Sequence, residues 1–334
     1  MDPRRLPARV DLPRGDGSPR QDLPRRDGSP RDRSASVVVI GTFDGVHRGH
    51  RHLIATALDH ASRDGLACVV LTFDRHPSAT VRPGTEPPLL TDVEQKLDLL
   101  AATGVDEVRV LAFDEQRASE SPEDFVNEVL VGHLKARRVV VGASFRFGHR
   151  ARGDVQLLEE MGAGLGFRAE GVPLLVDERS QTAVSSTSIR ALIAAGDLVA
   201  AAHLLGREHE VKAVLRAGIS AGAAVAVHVP GEILLPPPGC YRVLAGPVDG
   251  LLTPAIGMVG RSGQAEGEPV AARPVERLDQ AEPSGQAGTG ARAWRRPAQL
   301  VSLEPTPTGG WVGRLVAGEV LAVRFLREQA RGLR

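Results

Sequence analysis

From Ser36 onward, short apolar runs alternate with stretches in which apolar residues recur every three or four positions. Val37-Val-Val-Ile40 is an unbroken apolar run stopped by Gly41, the pattern of a strand buried on both faces. Residues 49–63 place Leu53, Ile54, Ala57, Leu58 and Ala61 on one helical face. Leu66–Phe73 predicts a second strand. Thr91 and Glu94 form a capping box for a helix carrying Val93, Leu97 and Leu100, and Gly104 is placed to stop it. Val105–Phe113 alternates like a strand. Ser121-Pro122 opens a further helix, with proline where its missing N–H costs nothing. Arg138–Gly142 is another β-branched strand. Thr187–Leu205 predicts two short helices separated by Gly196-Asp197, with Asp197 as N-cap. Strands alternating with helices predict βαβ units and a mainly parallel sheet, an α/β fold that takes ligands at the carboxyl ends of its strands.

The two ends of the chain read differently. Residues 1–35 contain a near repeat, Leu12–Arg20 and Leu23–Arg31, of Pro, Arg, Asp, Gly and Ser. Such text buries too little apolar surface to offset chain entropy, so it predicts a disordered tail. No apolar segment follows its basic start, so it is not read as a secretory signal. The α/β domain is assigned to residues 36–207. Residues 208–334 are assigned to a smaller, mostly β domain, with strand-like Ala223–Val229 and an aperiodic, flexible insertion at 261–293. Val312–Leu326 reads as strand and then helix.

Composition narrows the function classes. Of 334 residues, 42% are apolar and 25% charged, enough for a sizeable core. Lys+Arg and Asp+Glu are 41 each, so no overall charge favours nucleic acid or an anionic membrane. Aromatics at 3% are too few for a base-stacking platform. No run of about 18 apolar residues predicts a membrane span. The two cysteines, Cys68 and Cys240, form neither a zinc spacing nor a disulfide framework, which fits a reducing cytoplasm. Positive charge is nearly all arginine; the lysines are Lys96, Lys135 and Lys212.

The sharpest chemical feature is Gly41-Thr-Phe-Asp-Gly-Val-His-Arg-Gly-His50, where a strand meets a helix. His47 and His50 bracket Gly49, and glycine lets backbone approach a ligand closely. The helix N-terminus adds unpaired N–H groups and partial positive charge, so the turn suits a phosphate. Neither Walker A nor GxGxxG spacing is present. Ser185-Ser186-Thr187 before a helix makes a second anion cradle, with Arg190 on the same helix face as Thr187.

Four blocks in register resemble the adenylyltransferase module of the bacterial FAD synthetases, the bifunctional riboflavin kinase/FMN adenylyltransferase family. They are Gly41–His50, Leu71–Pro77, Val141–Gly148 with Gly153-Asp154, and Ser185–Arg190 with Gly196-Asp197 and Leu204–Arg207. The resemblance covers residues 36–207 and implies a Rossmann-like nucleotidylyltransferase domain that transfers AMP from ATP to FMN. It implies His47, His50 and Arg190 in catalysis, and Gly41, Thr42, Phe43, Asp44, Gly49, Ser186 and Thr187 at ATP. It implies Phe73, His76, Pro77, Ser144, Phe145 and Phe147 at the flavin. A magnesium ion held by phosphate oxygens and water is expected; no protein metal ligand is assigned, and no nucleic-acid or membrane partner.

Some positions depart from that pattern. Ser144 stands where the family usually has Asp or Asn, Arg75 where proline precedes His-Pro, Ser188 where arginine is common, and Ala183 where a basic residue occurs. The family's kinase barrel carries Gly-x-Pro-Thr-Ala-Asn, yet the sole asparagine is Asn127 in the first domain. Residues 208–334 are therefore expected to be a degenerate riboflavin-kinase-like barrel without kinase activity. Two other readings stand beside FAD synthesis: a non-catalytic flavin- or nucleotide-binding paralogue, and a nucleotidylyltransferase for another phosphorylated acceptor.

Overall fold

A computed structural model of the chain describes residues 10–11, 32–215, 225–230, 232–248, 252–259, 300–305 and 320–326. The expected insertion at 261–293 lies outside the described residues, as does most of the expected tail. Within that tail, Val10–Asp11 is a two-residue strand and Asp32–Ala35 begin a longer one. The chain divides into two compact units. One takes the residues up to Glu86 with Val93–Ser188; the other takes Pro87–Asp92 with Ile189 onward.

The first unit runs β1 (Val10–Asp11), β2 (Asp32–Ile40), α1 (Arg48–Asp64), β3 (Leu66–Phe73), α2 (Pro77–Val81), α3 (Val93–Ala101), β4 (Glu107–Leu111) and α4 (Glu115–Ser119). It continues through α5 (Pro122–Phe125), β5 (Ala136–Gly142), α6 (Val155–Leu165), β6 (Arg168–Val172), β7 (Val176–Asp177), β8 (Thr182–Ala183) and the start of α7 (Ser186–Ala194). The sheet order is β1-β4-β3-β2-β5-β6, with every pair parallel. From β2 the strands run outward in both directions, the doubly wound arrangement.

Period-two alternation divides the apolar run of β2 between the faces. Val37 and Val39 pack with Cys68, Val70 and Val140 under α1, where Leu53, Ile54, Ala57 and Ala61 are buried. Val38 and Ile40 pack with Val69, Leu71, Val139 and Val141 on the opposite face, against Phe125, Val129, Leu130 and Leu158. The sequence pattern misses one local feature. The helix opened by Ser121, whose side chain caps Asp124 N–H, widens after Phe125 into a π-helix over Val126–His133 and ends with Leu134 N–H on Val129 O.

The second unit holds the rest of α7, then α8 (Leu198–Leu205), β9 (His209–Leu215), β10 (Val225–His228), β11 (Gly239–Pro247), β12 (Thr253–Val259), β13 (Leu300–Pro305) and β14 (Val320–Phe325). Asp197 caps α8 through Ala200 N–H, as its sequence predicts. The six strands close an antiparallel barrel in the order β10-β13-β12-β11-β14-β9. Both helices expected to end the first domain at residue 207 thus fall, beyond Ser188, in the unit that holds the barrel. Pro87–Asp92 joins that unit because Leu89 N–H donates to Glu232 O (2.6 Å) and Leu234 N–H to Leu89 O (2.8 Å). The strand-then-helix reading of Val312–Leu326 is corrected in its second half: Val320–Phe325 is strand β14, because pairing with β9 on one side and β11 on the other closes the barrel there, while residues 312–319 lie outside the described residues.

Candidate functional site

β2 ends between β3 and β5, so the loop after Ile40 opens where the strand order reverses, the crevice in which such sheets take ligands. Gly41 N–H still donates to Leu71 O at 3.1 Å. The chain then enters left-handed conformations at Phe43 (φ 52°), Gly45 (φ 80°) and Val46 (φ 37°). Glycine accepts this freely, but a β-branched valine does not; such a residue costs of order 1–3 kcal/mol. Phe43 and Val46 are both fully buried, and that packing holds the strained turn.

The turn delivers His47 to the N-cap of α1, where its Nδ1 accepts from His50 N–H at 3.2 Å. An accepting Nδ1 puts the proton of the neutral ring on Nε2. The His47 and His50 rings stack with centroids 3.6 Å apart and planes 17° apart, and Phe43 meets His50 edge-on at 5.2 Å. His47 is 4% exposed. Gly49 lies between the two imidazoles, and a Cβ there would stand 2.7 Å from Val184 O and 3.1 Å from the His47 ring. Close approach, rather than an unusual dihedral, excludes a side chain.

Ser186 Oγ donates to Asp44 O at 2.9 Å, across 142 residues of sequence. This bond brings the start of α7 to the histidine turn. α7 itself begins with a reciprocal cap: Ser188 N–H donates to Ser185 Oγ and Ser185 N–H to Ser188 Oγ, both at 3.1 Å. The departing residue Ser188 thus has a use. Thr187 is exposed. Arg190 falls in the second unit, 6% exposed, with Nε donating to Pro88 O at 2.8 Å.

The flavin-assigned residues divide. His76 caps α2, accepting from Ser78 N–H at 3.2 Å, and Pro77 is that helix's first residue. Ser144 is exposed. Phe73 is 9% exposed and meets Phe113 edge-on at 5.4 Å. Phe147 is 8% exposed and belongs to the core, stacked beneath half-buried Phe145 at 5.6 Å. Phe147 therefore supports Phe145 rather than presenting a face of its own; residues 145 and 147 sit at strand-like spacing, which does not reveal which ring turns inward.

Two groups beside the turn escape sequence reading. Lys96, on α3, is 7% exposed, and its Nζ donates to Phe73 O at 2.7 Å. Burial pulls its pKa from 10.5 down to about 8, against the opposing pull of Asp44 and Asp74. Asp177, 2% exposed, pairs with Arg48 at 3.0 Å and accepts from Ser180, tying the β7–β8 hairpin to the first residue of α1. Among the described residues, no group of three or more His, Cys, Asp or Glu side chains is placed to hold a metal ion. Nor is any described helix long and apolar enough to cross a membrane.

Residues 29–188 match the family model described as FAD synthetase. The bifunctional riboflavin kinase/FMN adenylyltransferase of Escherichia coli (strain K12) is 35% identical over 170 residues, 51% of this chain and 54% of that protein. Its counterpart in Bacillus subtilis (strain 168) is 30% identical over 221 residues, covering 64% of this chain and 68% of the relative. The alignment to the Escherichia coli protein thus spans about half of that relative's length. A solved structure described as a macrolide-efflux protein from Streptococcus pneumoniae has a TM-score of 0.66 at 23% identity, covering 91% of this chain and 89% of that one. At that identity the likeness concerns fold alone.

Proposed function

The chain belongs to the FAD synthetase family, and from that premise we propose that it is an FMN adenylyltransferase, making FAD and pyrophosphate from FMN and ATP. An oxygen of the FMN phosphate attacks the α-phosphorus of ATP; the bond from that phosphorus to the bridging oxygen breaks, and pyrophosphate leaves with the electron pair. The attacking oxygen is already anionic, so no general base is needed, and catalysis reduces to positioning and charge neutralisation.

The observation that carries this reading is the Ser186 Oγ–Asp44 O bond, which unites the two anion-suited elements in one place. His47, with Nε2 protonated, donates to a phosphate oxygen, and the first-turn amides of α1 add to the same charge. Arg190, one helical turn beyond Ser186, is assigned by the family pattern to the same phosphates. Phe145 is the ring left to cover the flavin. The described side chains form no cage for magnesium, so the ion, when bound, would be held on phosphate oxygens and water and would draw charge from them. Lacking the asparagine-bearing kinase segment, the barrel is proposed not to phosphorylate riboflavin.

The deciding experiment incubates purified protein with ATP, magnesium and FMN and follows FAD and pyrophosphate. Stoichiometric appearance of both supports the proposal. ATP binding without turnover sinks it in favour of a sensor; turnover only with another phosphorylated acceptor sinks FMN as substrate. FMN formed from riboflavin and ATP would overturn the loss of the kinase.

A further inference from the structure

We propose that Lys96 is a positioning residue of this site: its ammonium holds the last carbonyl of β3 and offsets the charge of Asp44 in the histidine turn, so that the turn can accept a triphosphate. The inference rests on the ATP reading given above and extends it to a residue outside the motif.

The geometry is specific. α3 buries Leu100 in the core, yet on the same helix it also buries a lysine. A buried ammonium has three protons to place, and withdrawing it from water is costly unless acceptors and counter-charges meet it. One proton goes to Phe73 O, the last carbonyl of β3, at 2.7 Å. The charged groups acting on the ammonium are Asp44, from the turn before α1, and Asp74, from the loop after β3. Asp74 is also engaged by Arg75 at 3.0 Å, and its Oδ1 accepts from Phe113 N–H at 2.9 Å, crosslinking the loops that follow β3 and β4. Asp44 is 4% exposed, and its own carbonyl receives the Ser186 hydroxyl.

A buried carboxylate in a turn that grips phosphates would repel them. Lys96, buried beside the end of β3, supplies an opposite charge that Asp44 feels. A leucine or methionine could fill the same volume without desolvating a charge, so packing alone does not call for a cation here.

The test compares Lys96→Met, which keeps length and removes charge, with Lys96→Arg, which keeps charge at any working pH. ATP affinity is measured by calorimetry at pH 7.0 and 9.5, and turnover with FMN alongside. Lys96→Met is expected to weaken ATP binding roughly 10–100-fold, the size seen when a partner behind a ligand-binding group is lost. Wild type should lose ATP affinity at pH 9.5, where the lysine has shed its proton, and Lys96→Arg should keep it. A purely structural lysine would not produce that reversal.

Should Lys96→Met fail to fold, the wild type still decides the matter. With three lysines in the chain, 15N-lysine labelling gives three side-chain signals. One of them titrating near 8 and moving on addition of ATP supports the inference; all three titrating in the ordinary lysine range, or none responding to ATP, overturns it. If wild type binds ATP but makes no FAD, the adenylyltransferase reading falls and Lys96 is judged on ATP affinity. If wild type makes FAD and Lys96→Met binds ATP as tightly, the Lys96 inference falls alone. If wild type binds no ATP, both fall.

Discussion

Replacing Gly49 by alanine tests the site through a single methyl group. Its Cβ would lie 2.7 Å from Val184 O, against the 3.4 Å at which ordinary van der Waals contact begins, so something must move by about 0.7 Å. Val184 is main chain and fully buried, leaving little room on that side. On the other side stand His47 Cε1 and Nδ1, both at 3.1 Å, on the ring that caps α1. Overpacking costs about 1–3 kcal/mol, while alanine over glycine returns up to about 1 kcal/mol in a helix. The net loss of stability is therefore expected at about 0–3 kcal/mol, a shift of a few degrees in Tm. Activity should suffer more, because a displacement approaching 1 Å at a positioning group costs about 10²-fold. The assay is FAD formation at saturating FMN over a range of ATP, with thermal unfolding in parallel. A Gly49→Ala protein with wild-type kcat/KM for ATP would refute the reasoning, since the clash would then have been absorbed without disturbing the histidine turn.

His47→Ala and His50→Ala should each lower kcat by roughly 10²–10³ while leaving the fold intact by circular dichroism, the loss typical of one transition-state donor; unchanged turnover in both would assign the turn another task. His209 is fully buried in the second unit, its Nε2 is 2.8 Å from Leu234 O, and burial pulls its pKa down to about 4. Because the folded pKa lies below the unfolded value of about 6.5, stability is full above that value and is lost as pH falls toward 4, by about 3 kcal/mol in all. Calorimetric unfolding between pH 7.5 and 4.5 should show this slope, and His209→Phe should flatten it. Gly148→Ala should destabilise by about 2–4 kcal/mol, because its φ is +70° and a Cβ would meet the Pro122 ring at 2.5 Å. Gly65→Ala, at φ +67° with nothing within 4 Å, should cost only about 1 kcal/mol, and equal Tm losses for the two would discount the contact.

Much of the sheet was legible because its strands are apolar runs bounded by breakers. Leu66–Phe73 coincides with β3, and the helix read over 49–63 is α1 extended by one residue at either end. The histidine turn was legible because its chemistry is local, within ten consecutive residues. Other parts depend on partners distant in sequence. Lys96 reads as one polar position in an amphipathic helix until Phe73 O is found beside it, 23 residues away. Asp177 carries no local signal, since its partner Arg48 stands 129 residues earlier. In Pro87–Asp92 the sequence offers only Thr91 as a helix cap, and the segment's place beside Glu232–Leu234 follows from backbone bonds that any side chains permit. The inward turn of Phe147 likewise follows from packing around Phe125 rather than from its own position.

The path of Pro87–Asp92 bears on how this protein can be taken apart. The chain leaves its first unit at Glu86, returns at Val93, and leaves again after Ser188. A gene fragment cut at Ser188 would look like a clean module, since the family match ends there. It would nevertheless strip Leu89 of the Glu232 and Leu234 backbone groups it bonds, and Arg190 from the Pro88 carbonyl. A shorter gene that keeps Pro87–Asp92 paired must therefore carry Glu232 and Leu234 with it.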